Sequence, residues 1–278
     1  MPATLGDLPA LDSLSEENRK CIERLQAHQA EKVDLPTSRL AAVLVLLFER
    51  NGKLRVLLTT RSKALRTHPG QTALPGGKVD STDPDVVSAA YREAHEEVNL
   101  PLPSSCPHLH TISVLRPFTS SSRLLVTPVV ALLTDLTVLS TLKRNESEVD
   151  RIFDHPLEAI LDPGPEALAD DLERLVEKGS EDWPYEDEYH NHNDLVVPWL
   201  GNSGYRMHRF RSTASPIKGL TAEILITTAS IAYDRLPSYE HFAPSQFTTF
   251  KEILRYLDAE YDAQSVSGTS TPIGIQNR

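Results

Sequence analysis

The apolar positions of this chain fall into short blocks whose spacing switches between that of strands and that of helices. Leu40 to Glu49 reads LAAVLVLLFE, Asn51-Gly52 follows, and a second apolar run occupies Leu54 to Thr60. Two such runs around Asn-Gly predict a tight β-hairpin. Ile112 to Leu115, Leu124 to Leu133, Val149 to Phe153 and Tyr205 to Phe210 predict further strands, and Pro156 to Leu161 a helical turn. Helical spacing recurs in Ser15 to Lys32, around Val87, Ala90, Ala94 and Val98, in Leu220 to Tyr233 and in Phe247 to Tyr261. Strands with one helix early and another late predict an α/β fold, a mixed sheet covered on both faces.

Punctuation between the blocks sets the organisation. Residues 1–37 read as an N-terminal helical extension, frayed over 1–12, and residues 38–235 as the main domain. Inside that domain, residues 162–194 change character: a charged helix is predicted near Glu166 to Lys178, then SEDWPYEDEYHNHND, acidic and without periodicity. This stretch reads as a surface insertion ending in a mobile loop, with His190 and His192 as solvated loop residues. Residues 236–264 hold a C-terminal helix, and the Ser/Thr/Gly-rich residues 265–278 are expected to be disordered.

Charge and composition narrow the function. With 278 residues, 40% of them apolar, the chain can bury a normal core, and its net charge of −11 argues against nucleic acid as a main partner. An anionic small molecule would have to be caught by a local basic patch. The two cysteines, Cys21 and Cys106, supply no disulfide framework and read as packing residues. No apolar run approaches a membrane span. The first residues lack an apolar signal core, and the last, Ile-Gly-Ile-Gln-Asn-Arg, differ from a peroxisomal Ser-Lys-Leu signal, so a cytoplasmic location is expected.

The candidate chemistry lies between Gly76 and Leu100, GGKVDSTDPDVVSAAYREAHEEVNL. Asp83 is expected to cap a helix with Pro84 in its first turn, and Asn99 and Pro101 to end it. Glu93, Glu96 and Glu97, at i, i+3 and i+4, share one arc of that helix beside its apolar stripe. Three carboxylates so close repel one another, and a hard divalent cation, Mg²⁺ or Mn²⁺, would relieve them. Arg92 can brace Glu96 and orient Glu93, while His95 points away. Upstream, Arg61, Lys63, Arg66 and His68 place four potential cations within eight residues, just before Gly76-Gly77. A solvated face is the ordinary meaning of the acidic run, and its conjunction with the Gly-Gly turn, the capped start and the Arg-Glu pair favours a site; for the basic run, a strand end balancing the acidic helix and phosphate recognition stand level.

Gly76-Gly77 with Arg92-Glu93-x-x-Glu96-Glu97 resembles the Nudix box. The segment from Leu57 through Arg61-Ser62, Arg66 and Gly70 to Pro75-Gly76-Gly77 resembles the motif of the coenzyme A pyrophosphatase branch of that superfamily. Glu148-Val149 leading into Pro156-Leu157-Glu158, and Gly219-Leu220-Thr221-Ala222, agree with it. Departures are Leu74 for Phe, Asp83 for the first Glu with one extra residue before Arg92, Asn99 for the closing Gly, and Lys218 for a Trp. The resemblance implies an α/β/α sandwich. It implies Glu93, Glu96 and Glu97 as metal ligands, Arg92, Glu93 and Glu97 as catalytic residues, and Arg61, Arg66, His68, Gly76 and Gly77 as substrate-binding. The implied reaction is hydrolysis of the diphosphate of coenzyme A or its thioesters to 3′,5′-ADP and a 4′-phosphopantetheine. Glu93 and Glu148 are both open as general base. A relaxed nucleotide diphosphatase acting on oxidised deoxynucleoside triphosphates, NADH or capped RNA, and a silent binding module of the same fold, are the alternatives.

Overall fold

The computed structural model describes residues 9–30 and 39–257. Among them, α1 (Glu16–Ala27) precedes the hairpin β1 (Leu40–Arg50) and β2 (Lys53–Arg61), then β3 (Thr72–Ala73) and β4 (Gly76–Lys78). Next come α2 (Val86–Val98), β5 (Leu109–Val114), β6 (Phe118–Thr119), β7 (Leu125–Leu133) and β8 (Val149–Pro156). The hairpin β9 (His190–Val197) and β10 (Ser203–Phe210), then β11 (Ile217–Lys218) and α3 (Gly219–Tyr233), complete the elements.

The main sheet has the order β3-β2-β1-β7-β5, with β4 also pairing β1, β6 pairing β7 and β8 pairing β2. β1 and β7 run parallel, from Leu40 opposite Leu125 to Leu47 opposite Leu132, while β1 and β2 are antiparallel about Asn51-Gly52. Both turn residues have positive φ, 54° and 74°, the conformation that favours Asn-Gly in a two-residue hairpin.

The long apolar run of β1 is explained by burial on both faces. Ala41, Val45 and Leu47 join Cys21, Ile22 and Leu25 of α1 and Leu225, Ile226 and Ala229 of α3 in one core. Ala42, Leu44, Leu46 and Phe48 point the other way and pack with Ala90, Ala94 and Val98 of α2. The period-two alternation thus divides one strand between two cores, and the layers are those of an α/β/α sandwich with a mixed sheet. No helix among the described residues is long and apolar enough to cross a membrane.

By internal contacts the chain divides into two compact units, Met1–Asn193 with Met207–His241, and Asp194–Arg206 with Phe242–Arg278. The first holds the sandwich. In the second, Arg206 forms a two-pronged pair with Asp194, at 2.7 and 2.9 Å, and its N–H donates to Gln246 Oε1 at 2.8 Å.

Several expectations are corrected. α1 ends at Ala27 rather than Lys32, and Ser15 caps it by accepting from the Asn18 N–H. The charged helix over Glu166 to Lys178 is absent apart from one 3-10 turn at Leu172–Arg174. Asp171 is instead drawn inside, 1% exposed, where its Oδ2 accepts from Nη2 of the equally buried Arg55 at 2.7 Å. Arg55 also pairs with Asp154, and Arg174 with Asp171. The acidic stretch read as a mobile loop is anchored by Trp183, fully buried, whose Nε1–H donates to the Asp187 carbonyl at 2.7 Å. His190 and His192 lie on β9; His190 stacks on Tyr239, and its Nε2 lies 3.0 Å from His208 Nδ1. Burial pushes His190 down to about 3. Where this excursion begins and ends, the Val176 N–H donates to the Ser212 carbonyl at 3.0 Å. The expected C-terminal helix is present over 250–257; its remainder and the tail at 265–278 lie outside the described residues.

Removing one partner of a buried ion pair leaves the other charge without compensation, at a cost of about 3–5 kcal/mol. Arg55 keeps Asp154 as a partner, so Asp171→Ala is expected to lower the unfolding free energy by less than that, about 1–3 kcal/mol, in urea titration, although its sequence reads as part of a charged helix in a surface insertion. A change under about 0.5 kcal/mol, the size of an ordinary surface substitution, would show that the Arg55 network does not stabilise the fold.

Candidate active site

The acidic helix α2 begins two residues later than the sequence suggests. Asp85 is the cap, accepting from the Ser88 N–H at 2.7 Å. Asp83 is not free to cap because Arg92 holds it: Nε and Nη2 donate to its two carboxylate oxygens, both at 2.9 Å. At the other end Asn99 adopts the left-handed conformation, φ 56° and ψ 34°, as the replacement of Gly by Asn requires.

Within α2 the three glutamates part company. Glu97 turns inward, 6% exposed, and its Oε2 accepts from the Gly76 N–H at 3.3 Å. Glu93 is pressed against Gly77, where an added Cβ would lie 2.6 Å from the carboxylate carbon. A Cβ on Gly76, whose φ is +155°, would lie 2.3 Å from the Ala42 carbonyl oxygen of β1. Each glycine is thus required by a different neighbour, one by the sheet and one by the acidic helix. Glu96, half-exposed, reaches Arg92 Nη1 at 3.2 Å instead of joining the other two.

Burial governs the charge state of Glu97 and Glu93. Glu97 is pushed up to about 8, chiefly by loss of water, with the Gly76 N–H and Arg61 pulling the other way. Glu93 is raised for the same first reason, against the opposing pull of Arg92. Arg92 donates to Lys78 O at 3.1 Å and lies 3.1 Å from Glu93 Oε1, so it ties β4, Asp83 and the acidic helix together. Glu148 is set beside this group by its backbone, whose carbonyl accepts from the Ser62 N–H at 2.8 Å.

The basic motif divides in the same way. A register shift between Thr60 and Arg61, where β2 meets β8, ends the regular strand; bulges of this kind commonly re-aim a side chain. Arg61 Nε is buried without a hydrogen-bond partner among the described residues, close enough to Glu97 to depress its pKa. The Arg61 N–H donates to Gln71 O at 2.9 Å and its carbonyl accepts from the Gly70 N–H at 3.0 Å, closing residues 62–70 into a loop. Lys63, Arg66 and His68 are exposed on that loop, His68 with a φ of 53°. At the far end of the chain, Thr221 Oγ1 donates to the Thr72 carbonyl at 3.2 Å, which brings Gly219-Leu220-Thr221-Ala222 to the strand that leads into Gly76.

Among the described residues, no three histidines, cysteines, aspartates or glutamates converge tightly enough to hold a metal ion. The donors that do meet are Glu93 and Glu97, two buried or half-buried oxygen ligands in repulsion, with a side-chain-free face at Gly77. That chemistry fits a hard divalent cation. Asp83 as the partner of Arg92 and the inward turn of Glu97 were not read from the sequence. Gly77, where a Cβ would meet the Glu93 carboxylate, signals the close approach of the acidic helix but not which glutamate turns inward.

A model of the NUDIX domain matches residues 38–177. Nudix hydrolase 15, mitochondrial, of Arabidopsis thaliana is 36% identical over 209 residues, 73% of this chain and 62% of that protein. Nudix hydrolase 22, chloroplastic, of the same plant is 37% identical over 206 residues, 74% of this chain and 59% of that protein. The uncharacterized Nudix hydrolase NudL of Enterobacter sp. is 43% identical over 130 residues, covering 46% and 62% of the two chains. A C. elegans Ap4A hydrolase structure aligns over 44% of this chain and 82% of its own, with 24% identity and a TM-score of 0.34. The chain therefore spans 62% and 59% of the length of its two plant relatives. On the matched domain and the identity to these relatives, it belongs to the Nudix family.

Proposed function

We propose that the chain hydrolyses the diphosphate of coenzyme A and its thioesters, releasing 3′,5′-ADP and 4′-phosphopantetheine or its acyl form, with Mg²⁺ or Mn²⁺ bound. The observation that carries this reading is the meeting of Glu93 and Glu97 at Gly76-Gly77 beside the unpartnered Arg61 Nε, at the foot of a loop bearing Lys63, Arg66 and His68. Glu93 and Glu97 would hold the cation, with Glu96 in support once it leaves Arg92. Such an ion neutralises phosphate oxygens and lowers the pKa of a bound water. Arg92 keeps the Glu93 carboxylate oriented. The Arg61 Nε donor, without a partner among the described residues, is available to a phosphate oxygen, and Arg suits phosphate because its fork offers paired donors. Glu93 or Glu148 accepts the proton of the attacking water. The exposed loop cations match the additional 3′-phosphate of coenzyme A, and among the described residues neither Lys63 nor Arg66 is held in an ion pair. Incubation of the protein with coenzyme A, NADH and a nucleoside triphosphate panel, with product analysis, tests the substrate. The organelle names belong to the plant relatives.

Glu97→Gln keeps the shape and the Gly76 hydrogen bond while deleting the charge, so hydrolysis is expected to fall to background. Its effect on stability has a defined sign. A carboxylate whose folded pKa, about 8, exceeds the ordinary 4.5 costs nothing below pH 4.5, and destabilises progressively as pH rises towards 8. The metal-free variant is therefore expected to be more stable than wild type at pH 8 and equal to it near pH 4 in thermal melts. Near wild-type turnover in saturating Mg²⁺ would remove Glu97 from the metal set.

Added Mg²⁺ or Mn²⁺ is expected to raise the melting temperature by mass action, and Glu93→Gln with Glu97→Gln to abolish the rise. Calorimetry should show the ion displacing a proton, with affinity increasing by up to about tenfold per pH unit below pH 8. A shift that survives in the double variant would put the ion elsewhere.

Arg66→Ala removes a charge-assisted phosphate contact worth about 1.5–3 kcal/mol, roughly a ten- to hundredfold rise in KM for coenzyme A with kcat within a few fold. Dephospho-coenzyme A should lose little. An equal penalty on both substrates would show that Arg66 does not read the 3′-phosphate.

A further inference from the structure

The strand β3 carries the chain from the basic loop into Gly76-Gly77, yet it is only two residues long and lies at the edge of its sheet. Two residues of ladder, Thr59 opposite Ala73 and Thr60 opposite Thr72, are little to fix a strand on which a site depends. The outer side of β3 is held by something else. Thr72 Oγ1 donates to the Ser215 carbonyl at 2.7 Å and lies 2.8 Å from Ser215 Oγ. Ser215 Oγ also lies 3.0 Å from Thr60 Oγ1, so one hydroxyl bridges two neighbouring strands. Ser212 Oγ donates to the same Ser215 carbonyl at 2.8 Å and accepts from the Ala214 N–H at 3.0 Å, which fixes the turn that presents Ser215. Thr221 Oγ1, from the first turn of α3, donates to the Thr72 carbonyl. Thr60, Thr72, Ser212 and Ser215 are all buried.

Buried hydroxyls that satisfy one another in a chain are costly to disrupt, because removing one leaves its neighbours without partners and without water. Their consequence reaches the loop. Thr72 follows Gln71, whose carbonyl receives the Arg61 N–H, and Gly70 closes the loop on the Arg61 carbonyl. We propose that Thr72 and Ser215 are positioning residues: their hydroxyl clamp joins the segment before α3 to β3 and thereby sets the reach of the 62–70 loop towards an anionic substrate. Neither side chain touches the reacting atoms; they act through Arg61, Gly70 and Gln71. This assigns a task to a serine-rich stretch, Ser212 to Ser215, that carries no chemistry of its own. It also accounts for how a segment more than a hundred residues downstream contributes to a site built between Arg61 and Glu97.

The inference rests on the proposed reading for its kinetic arm only. Thr72→Val keeps size and strand propensity and deletes the donor; Thr72→Ser restores it. In Thr72→Val, amide hydrogen exchange at Arg61 and Gly70 is expected to accelerate by about tenfold or more, and KM to rise roughly three- to tenfold with kcat within about twofold. Thr72→Ser should return both readings to near wild type. A merely structural hydroxyl would lower the melting temperature while leaving loop exchange and KM, measured well below the melt, unchanged, and that result overturns the proposal. If Thr72→Val fails to fold, Ser215→Ala, which keeps the carbonyl acceptor and removes only the bridging hydroxyl, gives the same comparison. Should the wild type ignore coenzyme A and hydrolyse another diphosphate from the panel, the substrate assignment fails, while KM on that substrate and the exchange rates still decide the clamp.

Discussion

Gly76 lies so close to the backbone of β1 that a Cβ would meet the Ala42 carbonyl oxygen, and Gly77 lies as close to the Glu93 carboxylate. Between them these contacts fix the separation of the sheet from the acidic helix. Because α2 approaches so closely, Glu97 has nowhere to go but inward, and it meets the Gly76 N–H instead of water. The elevated pKa follows from that approach, and so does the need for a positive partner. Arg61 supplies part of it from the end of β2, and the repulsion that remains is what a divalent cation would relieve.

Arg92 performs the complementary task on the outer side. It binds Asp83, the Lys78 carbonyl, Glu93 and Glu96 at once, and so secures the segment that enters the helix to the helix itself. A lysine there would keep the charge but could not reproduce the two-pronged bond to Asp83, since it lacks the planar fork.

Much of this was legible from residue order because the forces concerned are local. The Asn-Gly hairpin, the capped and terminated helix and the apolar runs depend on neighbours a few residues apart, and their existence is read correctly. What was missed depends on partners far along the chain. Asp83 looks like a cap until Arg92 is folded back onto it. Residues 166–178 have the composition of a solvated helix, yet Asp171 leaves that pattern for Arg55, some hundred residues earlier, and an ion pair inside a protein leaves no periodic trace in sequence. Trp183 was the available warning, since a large aromatic in an acidic stretch is seldom left in water. The three glutamates share an arc on paper, but a helical wheel cannot tell which of them the Gly-Gly turn will draw in and which will pair with an arginine one turn back.

The bond between Val176 and Ser212 gives the long excursion of the chain a particular property: it departs and returns at one point. Lengthening a surface loop whose ends are already joined costs little, since closure entropy grows only with the logarithm of loop length, about 0.6 kcal/mol per doubling. The candidate site residues, from Arg61 to Glu148, and the proposed clamp at Ser215 lie outside that closed detour. A change in the length of the chain between these joined ends therefore costs little in closure entropy.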